Sequence, residues 1–248
     1  MATRSDVVLL VVENLAAAAK AADEAGLAKF AESYERGMVA DIPRYRRLRL
    51  RSAEKAWSAV LFVDMRGSTE RAKRIGPRNT FLTMHAFLPA MAFLASDAGG
   101  YVVGFRGDGL FAAFGINEHG VAPAGLDRGK AVQSAASCGQ SMQEAIKDII
   151  NPLFSRYELT DDLTIGVGVD AGDIVITRIG IQGAHEVTAY GDAINMASKL
   201  CEGAKGEVWL SPAAESLYPS SVGGRVRTEK VQALLSAYRV IFPSPRLE

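Results

Sequence analysis

The chain contains little cysteine, little histidine, no excess charge of either sign and no long apolar run. Only two of its 248 residues are cysteine and three are histidine. Cys138 and Cys201 stand alone in helix-like contexts, without the close spacing of paired metal ligands. This scarcity excludes a disulfide-stapled domain and a cysteine-rich zinc site.

The balance of charges and the shortness of the apolar runs exclude further classes. The 28 basic and 28 acidic residues cancel, so bulk charge attracts neither nucleic acid nor an anionic membrane. The basic run RYRRLRLR at 44–51 is more typical of a solvated linker than of a binding patch. The run VVLLVV at 7–12 is too short to span a bilayer, and we expect no secretory signal. We therefore expect a cytoplasmic protein that binds no nucleic acid and no membrane.

The first fifty residues differ in pattern from the rest. From 5 to about 38, apolar residues recur at three- and four-residue steps, which predicts helix, and Gly26 predicts a break or kink. We expect 1–50 to form an N-terminal helical segment and basic linker, packed on the main domain or on a partner chain. The main domain is predicted to span 51–246.

The main domain alternates strand and helix patterns in the order β-α-β-β-α-β. An apolar run at 57–65 predicts a buried strand, and 101–115 predicts a hairpin around Arg-Gly-Asp-Gly. The segment 163–180 predicts a second hairpin around Ala-Gly-Asp, and Ser-Thr capping is expected for the helix after the first strand. A helix at 191–204 and closing strands follow. This order is typical of a ferredoxin-like α+β sandwich with extra elements.

Two aspartates are the strongest candidates for chemistry. Asp64 ends the first predicted strand, and Asp108 lies at the tip of the first predicted hairpin. These strands are neighbours in such a sheet, so the two carboxylates are expected to converge. Converging carboxylates repel each other unless a cation joins them, and a hard divalent metal suits oxygen ligands.

The residues after Asp64 predict a phosphate site. Arg66, Gly67, Ser68 and Thr69 lead into the N-terminus of a helix, whose free N–H groups attract anions. A metal beside a phosphate cradle indicates a nucleoside triphosphate.

Four blocks of the sequence resemble, in order, the signature blocks of class III nucleotidyl cyclases. They are FVDMRGST, RGDGLFAAFG, GVGVDAG and YGDAINMASKL, and the resemblance covers about 58–238. It implies a homodimer with active sites at the subunit interface, and two divalent metal ions, Mg²⁺ or Mn²⁺. It also implies that the ribose 3′-hydroxyl attacks the α-phosphate. The metal ligands that it implies are Asp64, Asp108 and the main-chain carbonyl of Met65.

The resemblance assigns further roles on the helix at 191–204 and beyond it. Asn195 matches the asparagine that orients the ribose, and Lys199 stands where the family has a transition-state arginine. Lysine keeps the charge of that arginine but not its two-pronged fork. Lys230 lies near the position of the triphosphate-binding lysine.

Two positions that recognise the purine in adenylate and guanylate cyclases depart from the family pattern here. They lie four residues before Asp108 and seven before Asn195, at Gly104 and Thr188. Gly104 offers no side chain, so half of the purine-recognising pair is missing. Phe105, Arg106 and Tyr190 flank these positions, and Tyr45 is a further residue that could reach the base.

The chain resembles the pyrimidine cyclases of Pycsar antiphage defence, which make cyclic UMP or cyclic CMP for a separately encoded effector. This resemblance favours a uridylate cyclase, because an arginine suits the carbonyl acceptors of uracil; CTP is the second choice. Two alternatives remain open. One is an adenylate cyclase with divergent base selection, and the other is a catalytically inactive cyclase-like regulatory or dimerisation domain.

Overall fold

The fold is a mixed sheet with helices on both faces. The computed structural model describes residues 3–24, 38–117, 119, 125–157, 159, 162–220 and 227–242. Within these ranges the strands are β1 (Ala53–Met65), β2 (Tyr101–Arg106), β3 (Gly109–Phe114), β4 (Ile165–Ile181), β5 (Ala184–Tyr190), β6 (Val208–Leu210), β7 (Arg227–Val231) and β8 (Ala237–Ile241). Their order is β2-β3-β1-β4-β6-β8-β7, with β5 paired to β4. The β4–β6 pair is parallel and the other pairs are antiparallel.

The helices of the described chain vary widely in length. They are α1 (Arg4–Glu24), α2 (Pro43–Arg46), α3 (Ser68–Asp97), α4 (Arg128–Ala145), α5 (Asn151–Arg156), α6 (Asp192–Gly203) and α7 (Pro212–Leu217). A 3₁₀ turn at Val39–Asp41 precedes α2, and a π-helical turn at Ile146–Ile150 joins α4 to α5. None of the described helices is long and apolar enough to cross a bilayer.

Alternation along β1 divides the core into two layers. Leu61 and Val63 belong to a cluster with residues of α1, α3 and α4, whereas Val60 and Phe62 belong to a second cluster with residues of α6. Because successive side chains of a strand point to opposite faces, Asp64 shares the face of Val60 and Phe62. The predicted α+β fold is confirmed, and it places Asp64 on the α6 side of the sheet.

The N-terminal helix packs on the main domain. Val7, Val11 and Leu15 of α1 are buried in the same cluster as residues of α3 and the sheet. Their four-residue spacing places them on one face of the predicted helix. The buried face is centred on Val7 and Val11, whereas Val8 and Val12, from which the helix was predicted, are only partly buried. The predicted break at Gly26 lies outside the described residues.

The prediction of a hairpin at 163–180 is wrong. The structure has one continuous strand, β4, which passes straight through Ala-Gly-Asp and pairs with β1 from Ala53↔Thr177 to Met65↔Ile165. The long β1 supplies a partner for every residue of that stretch. The chain turns later, at Gly183, whose φ of 85° suits a tight turn.

The predicted Ser-Thr cap of α3 is also wrong. Gly67 is the N-cap, with φ 65°, and no side chain of the described residues caps this helix. Its left-handed conformation allows the sharp turn from β1 into α3. Ser68 therefore lies inside the first helical turn.

The basic run at 44–51 keeps its arginines exposed, as expected for a solvated segment, and packs two apolar side chains against the sheet. Tyr45 is fully buried, and Arg44 forms an ion pair with Glu54. Arg178 of β4 donates hydrogen bonds to the main-chain carbonyls of Arg46 and Leu48. Main-chain acceptors and two buried apolar side chains, Tyr45 and Leu48, hold the segment in place.

Candidate active site

The β1–β3 pairing brings Asp64 and Asp108 together at one edge of the sheet. Asp64 lies directly opposite Gly109, the residue after Asp108. A β-carbon at Gly109 would lie 2.5 Å from the carbonyl oxygen of Val63 and 2.6 Å from Oδ1 of Asp64. Only glycine permits this approach, so the Asp-Gly pair of the turn serves proximity as well as chain reversal.

Arg66 forms an ion pair with Asp64, and no side chain among the described residues pairs with both carboxylates. Burial and the neighbouring charge of Asp108 raise the pKa of Asp64 to about 6, although Arg66 acts in the opposite direction. Oδ2 of Asp108 is buried and has no hydrogen-bond partner in the described structure. A divalent cation beside these oxygens would meet both needs, so the residues fit the expected metal.

The donor set is small. Within the described ranges no cluster of three or more histidine, cysteine or acidic side chains is present. Two carboxylates and main-chain oxygen are therefore what the site offers, and the carbonyl of Met65, next to Asp64, is the predicted third ligand. Met65 is itself buried.

The predicted phosphate cradle divides into two parts. Gly67, Ser68 and Thr69 form the start of α3, where the first N–H groups have no partner within the helix. The side chain of Arg66, in contrast, points to protein acceptors: it donates to Oδ2 of Asp64 at 2.8 Å and to the carbonyl oxygen of Glu202 at 3.1 Å.

Asn195 and Lys199 lie one turn apart on the exposed face of α6. The opposite face of the helix is buried through Ala193, Ala197 and Leu200. This amphipathic arrangement points both polar side chains away from the core of their own chain.

At the predicted base site, Arg106 lies where Gly104 leaves space. A β-carbon at Gly104 would lie 3.7 Å from a terminal nitrogen of Arg106 and 3.3 Å from Cε1 of Phe111. The other terminal nitrogen of Arg106 donates to Oγ1 of Thr188 at 2.9 Å. Thr188 is 1% exposed, so this contact satisfies a buried hydroxyl.

Two stacked phenylalanine rings lie beneath Arg106. The guanidinium carbon of Arg106 lies 5.3 Å from the ring centre of Phe111, which stacks on Phe62 at 5.8 Å. Such a cation–π contact orients the guanidinium plane. Sequence analysis missed Phe111 and Phe62, although the alternation of β1 and β3 places both on the face of Asp64.

The other residues proposed near the base differ in exposure. Phe105 and Tyr190 are 43% and 49% exposed. Tyr45 is fully buried in the same core cluster as Phe111, and burial raises its pKa to about 12. That Tyr45 reaches the base stays a prediction; its side chain lies in the same cluster as Phe111, the ring beneath Arg106.

Lys230 is not near the carboxylates of its own chain. It lies exposed on β7, the far edge strand, with β8, β6 and β4 between β7 and β1. In one chain the structure thus forms three groups: Asp64 with Asp108 and Arg66, Gly104 with Arg106 and Thr188, and Asn195 with Lys199.

The sequence model of the family described as "Adenylate and Guanylate cyclase catalytic domain" matches residues 51–232. The chain belongs to this family. It is a class III nucleotidyl cyclase domain, and the match spans all three groups of site residues.

Two relatives of this cyclase domain bear the name uridylate cyclase. The protein from Rhodovulum sp. (strain MB263) is 30% identical over 181 residues, which is 71% of this chain and 67% of that protein. The protein from Burkholderia cepacia is 28% identical over 69% of this chain and 71% of its own length. The crystal structure of the adenylyl cyclase CyaB from P. aeruginosa has the same fold, with a TM-score of 0.65 and 22% identity over 79% of this chain and 98% of that one.

Proposed function

We propose that this cyclase domain converts UTP to 3′,5′-cyclic UMP and pyrophosphate, with CTP as the second choice. The observation that carries the proposal is the position of Arg106. Its guanidinium lies beside Gly104, where the purine-recognising side chain is absent, and donates a hydrogen bond to Thr188. The names of the Rhodovulum and Burkholderia relatives support it.

The chemistry of Arg106 favours uracil. A guanidinium only donates hydrogen bonds, and uracil presents two carbonyl acceptors and one N–H. The hydroxyl of Thr188 can accept from that N–H while it remains bonded to Arg106. Adenine instead presents its amino group, a donor, toward the guanidinium of Arg106, which is also a donor. Neither group would then have a hydrogen-bond partner, which is costly in a buried site.

Catalysis would rest on position and charge. Asp64, Asp108 and the Met65 carbonyl would hold two divalent ions, Mg²⁺ or Mn²⁺. When bound, such ions lower the pKa of the ribose hydroxyl and neutralise the triphosphate. The first N–H groups of α3, at Gly67, Ser68 and Thr69, would donate to phosphate oxygens.

The remaining residues would act on the ribose and the triphosphate. Asn195 would orient the ribose and Lys199 would stabilise charge on the α-phosphate, while Lys230 would bind the triphosphate. The 3′-oxygen bonds to the α-phosphorus, pyrophosphate leaves and the hydroxyl proton passes to solvent.

We propose that the active enzyme is a homodimer, with the carboxylates of one chain facing α6 of its partner. Lys230 lies far from Asp64 in one chain, and Asn195 and Lys199 point outward. Exposed apolar side chains share one face of the β4–β5 ribbon, because β4 alternates and Val175 pairs with Tyr190. They are Val175, Ile179, Ile181 and Tyr190.

Complementation tests this arrangement. Asp108→Ala and Asn195→Ala should each be inactive alone, and an equimolar mixture should recover about one quarter of wild-type activity, because heterodimers contain one intact site. A mixture as inactive as its components would mean that one chain supplies both residues of each site.

The product would serve as a second messenger. We propose that it activates a separately encoded effector in antiviral defence, in the cytoplasm where UTP is available. The domain division at residue 50 remains part of this proposal, with 1–50 as the N-terminal segment and 51–246 as the catalytic domain.

A product assay decides between the candidate functions. The protein is incubated with ATP, GTP, CTP and UTP in Mn²⁺, and the products are identified by mass spectrometry. Cyclic UMP should dominate. Dominant cyclic AMP would establish the adenylate cyclase alternative, and nucleotide binding without turnover would establish an inactive regulatory domain.

A further inference from the structure

The side chain of Arg66 is held at both ends of its guanidinium. One terminal nitrogen donates to Oδ2 of Asp64 at 2.8 Å and the other donates to the carbonyl oxygen of Glu202 at 3.1 Å. The side chain is 20% exposed, and its main-chain N–H donates to Thr164 at 2.8 Å. Backbone and side chain are therefore both fixed.

This contact sets the direction of the Asp64 carboxylate. With Oδ2 bonded to Arg66, Oδ1 lies on the side of Gly109, where an added β-carbon would be 2.6 Å away. That side is the hairpin tip that carries Asp108. One oxygen of Asp64 is thus occupied, and the other is presented toward the second carboxylate.

The second contact reaches α6. Glu202 lies in the last turn of this helix, where main-chain carbonyls have no partner within the helix and a cation is favoured. The same helix carries Asn195 and Lys199. A single side chain therefore joins a proposed metal ligand to the α6 helix of the same chain, whose Asn195 and Lys199 would serve the other active site of the proposed dimer.

We propose that Arg66 is a positioning residue, which orients Asp64 for metal and ties it to α6, and that it does not bind the nucleotide phosphates. This replaces the phosphate role predicted for it from sequence, and it rests on the proposed metal site. Each terminal nitrogen already has a protein acceptor, and Nε is buried without a partner among the described residues, so the guanidinium is directed into the protein.

The test compares Arg66→Gln with a control, Lys73→Gln. Lys73 is an exposed cation of α3 that pairs with the exposed Glu70. Mn²⁺ affinity is measured without nucleotide, by electron paramagnetic resonance and by the Mn²⁺-dependent rise in unfolding temperature. Steady-state kinetics use whichever triphosphate the wild type converts fastest.

We expect Arg66→Gln to weaken Mn²⁺ binding by about 10–100-fold, the usual effect of removing a group that orients a metal ligand. The KM for triphosphate should change by less than about threefold while kcat falls at least tenfold. Arg66→Lys should recover part of the loss, because it restores the charge beside Asp64 but cannot reach both acceptors. Lys73→Gln should match wild type.

Three outcomes would overturn the proposal. Unchanged Mn²⁺ affinity with a KM raised tenfold or more would make Arg66 a phosphate contact. A lowered unfolding temperature with unchanged metal affinity and kinetics would make its role structural only. Absence of nucleotide-free Mn²⁺ binding in wild type would remove the metal basis of the proposal, and this result does not depend on which triphosphate is the substrate.

Discussion

The carboxylate corner and the base site are built in different ways. At the corner, Asp64 and Asp108 meet because β1 and β3 pair in a register that places Asp64 opposite Gly109. At the base site, Gly104 supplies no side chain, and Arg106 folds over Phe111 to bond to Thr188. Main-chain pairing determines the first site and side-chain packing determines the second.

This difference has a consequence for specificity. A register shift by one residue would move every side chain of a strand to the other face. The positions of Asp64 and Asp108 at the carboxylate corner therefore cannot change without loss of the fold. A side chain on an aromatic ring is held by contacts worth about 0.5–2 kcal/mol, and it can be exchanged while the sheet persists. We therefore expect the reaction to be hard to alter and the base preference to be easier to alter.

The largest effect is expected at the carboxylate corner. Asp108→Ala should lower cyclase activity by about a thousandfold or more, because the metal loses a charged ligand and Asp64 alone holds it weakly. Product formation and the dimer mass are measured together. Glu229→Gln, which removes an exposed acid on β7 that pairs with Arg239, is the control and should be near wild type. Retained activity in Asp108→Ala would remove the two-carboxylate metal site.

A smaller and more selective effect is expected at Arg106. Arg106→Ala should lower kcat/KM for UTP by about 10–100-fold, because a base carbonyl and the buried Thr188 hydroxyl lose their donor. The rate with ATP should change little, so the ratio of the two rates is the measurement. Phe111→Leu is a companion variant that removes the ring beneath the guanidinium, and it should shift the ratio in the same direction by less. An equal loss for all four triphosphates would show that Arg106 does not select the base.

Rebuilding the purine pair should succeed only after Arg106 is removed. Gly104→Lys with Thr188→Asp restores the residue types of adenylate cyclases. A β-carbon at position 104 would lie in tight contact with Phe111, at 3.3 Å, and in ordinary contact with Arg106, at 3.7 Å, so the rest of the lysine would compete with the guanidinium for space. We expect little ATP activity from the double variant, and an increase of several-fold when Arg106→Ala is added. Product ratios from mixed triphosphates report it. High ATP activity in the double variant would contradict the steric role of Arg106.

The smallest effect concerns stability. Asp64→Asn should stabilise the metal-free protein at pH 7.5 by about 1–2 kcal/mol, since one pKa unit corresponds to about 1.4 kcal/mol and partial exposure reduces the full shift. The pKa of folded Asp64, about 6, lies above its ordinary value of 3.8. The folded state therefore retains the proton longer, and wild type loses stability as the pH rises from about 4 to 6.

Urea unfolding of both proteins between pH 5 and 7.5 measures this difference. The advantage of Asp64→Asn should grow up to about pH 6 and then stay level, and saturating Mn²⁺ should reverse it, because only wild type gains metal binding. A constant difference across the range would mean that Asp64 titrates normally.

Local patterns were sufficient for most elements and for the carboxylate pair. Alternation and apolar runs predicted β1 and the first hairpin. Asp64 at the end of β1 and Asp108 at the tip of the hairpin were therefore expected to lie close together. The second hairpin was wrong, because Ala-Gly-Asp is compatible with a turn and with a strand, and only the length of β1 decides between them. Arg66 was predicted to bind the phosphates, because the sequence around a basic residue before a helix N-terminus does not show which acceptors lie beside its side chain.

The sequence by itself determined the family, most of the elements and the identity of Asp64, Asp108, Asn195 and Lys199 as candidates, because these lie in short blocks whose spacing is local. Only the tertiary structure decided which side chain fills the space at Gly104 and what Arg66 holds. Those two contacts join residues 82 and 136 positions apart. Separations of that size carry no local pattern, and packing of β2 against β5 and of β1 against α6 is what makes the residues neighbours.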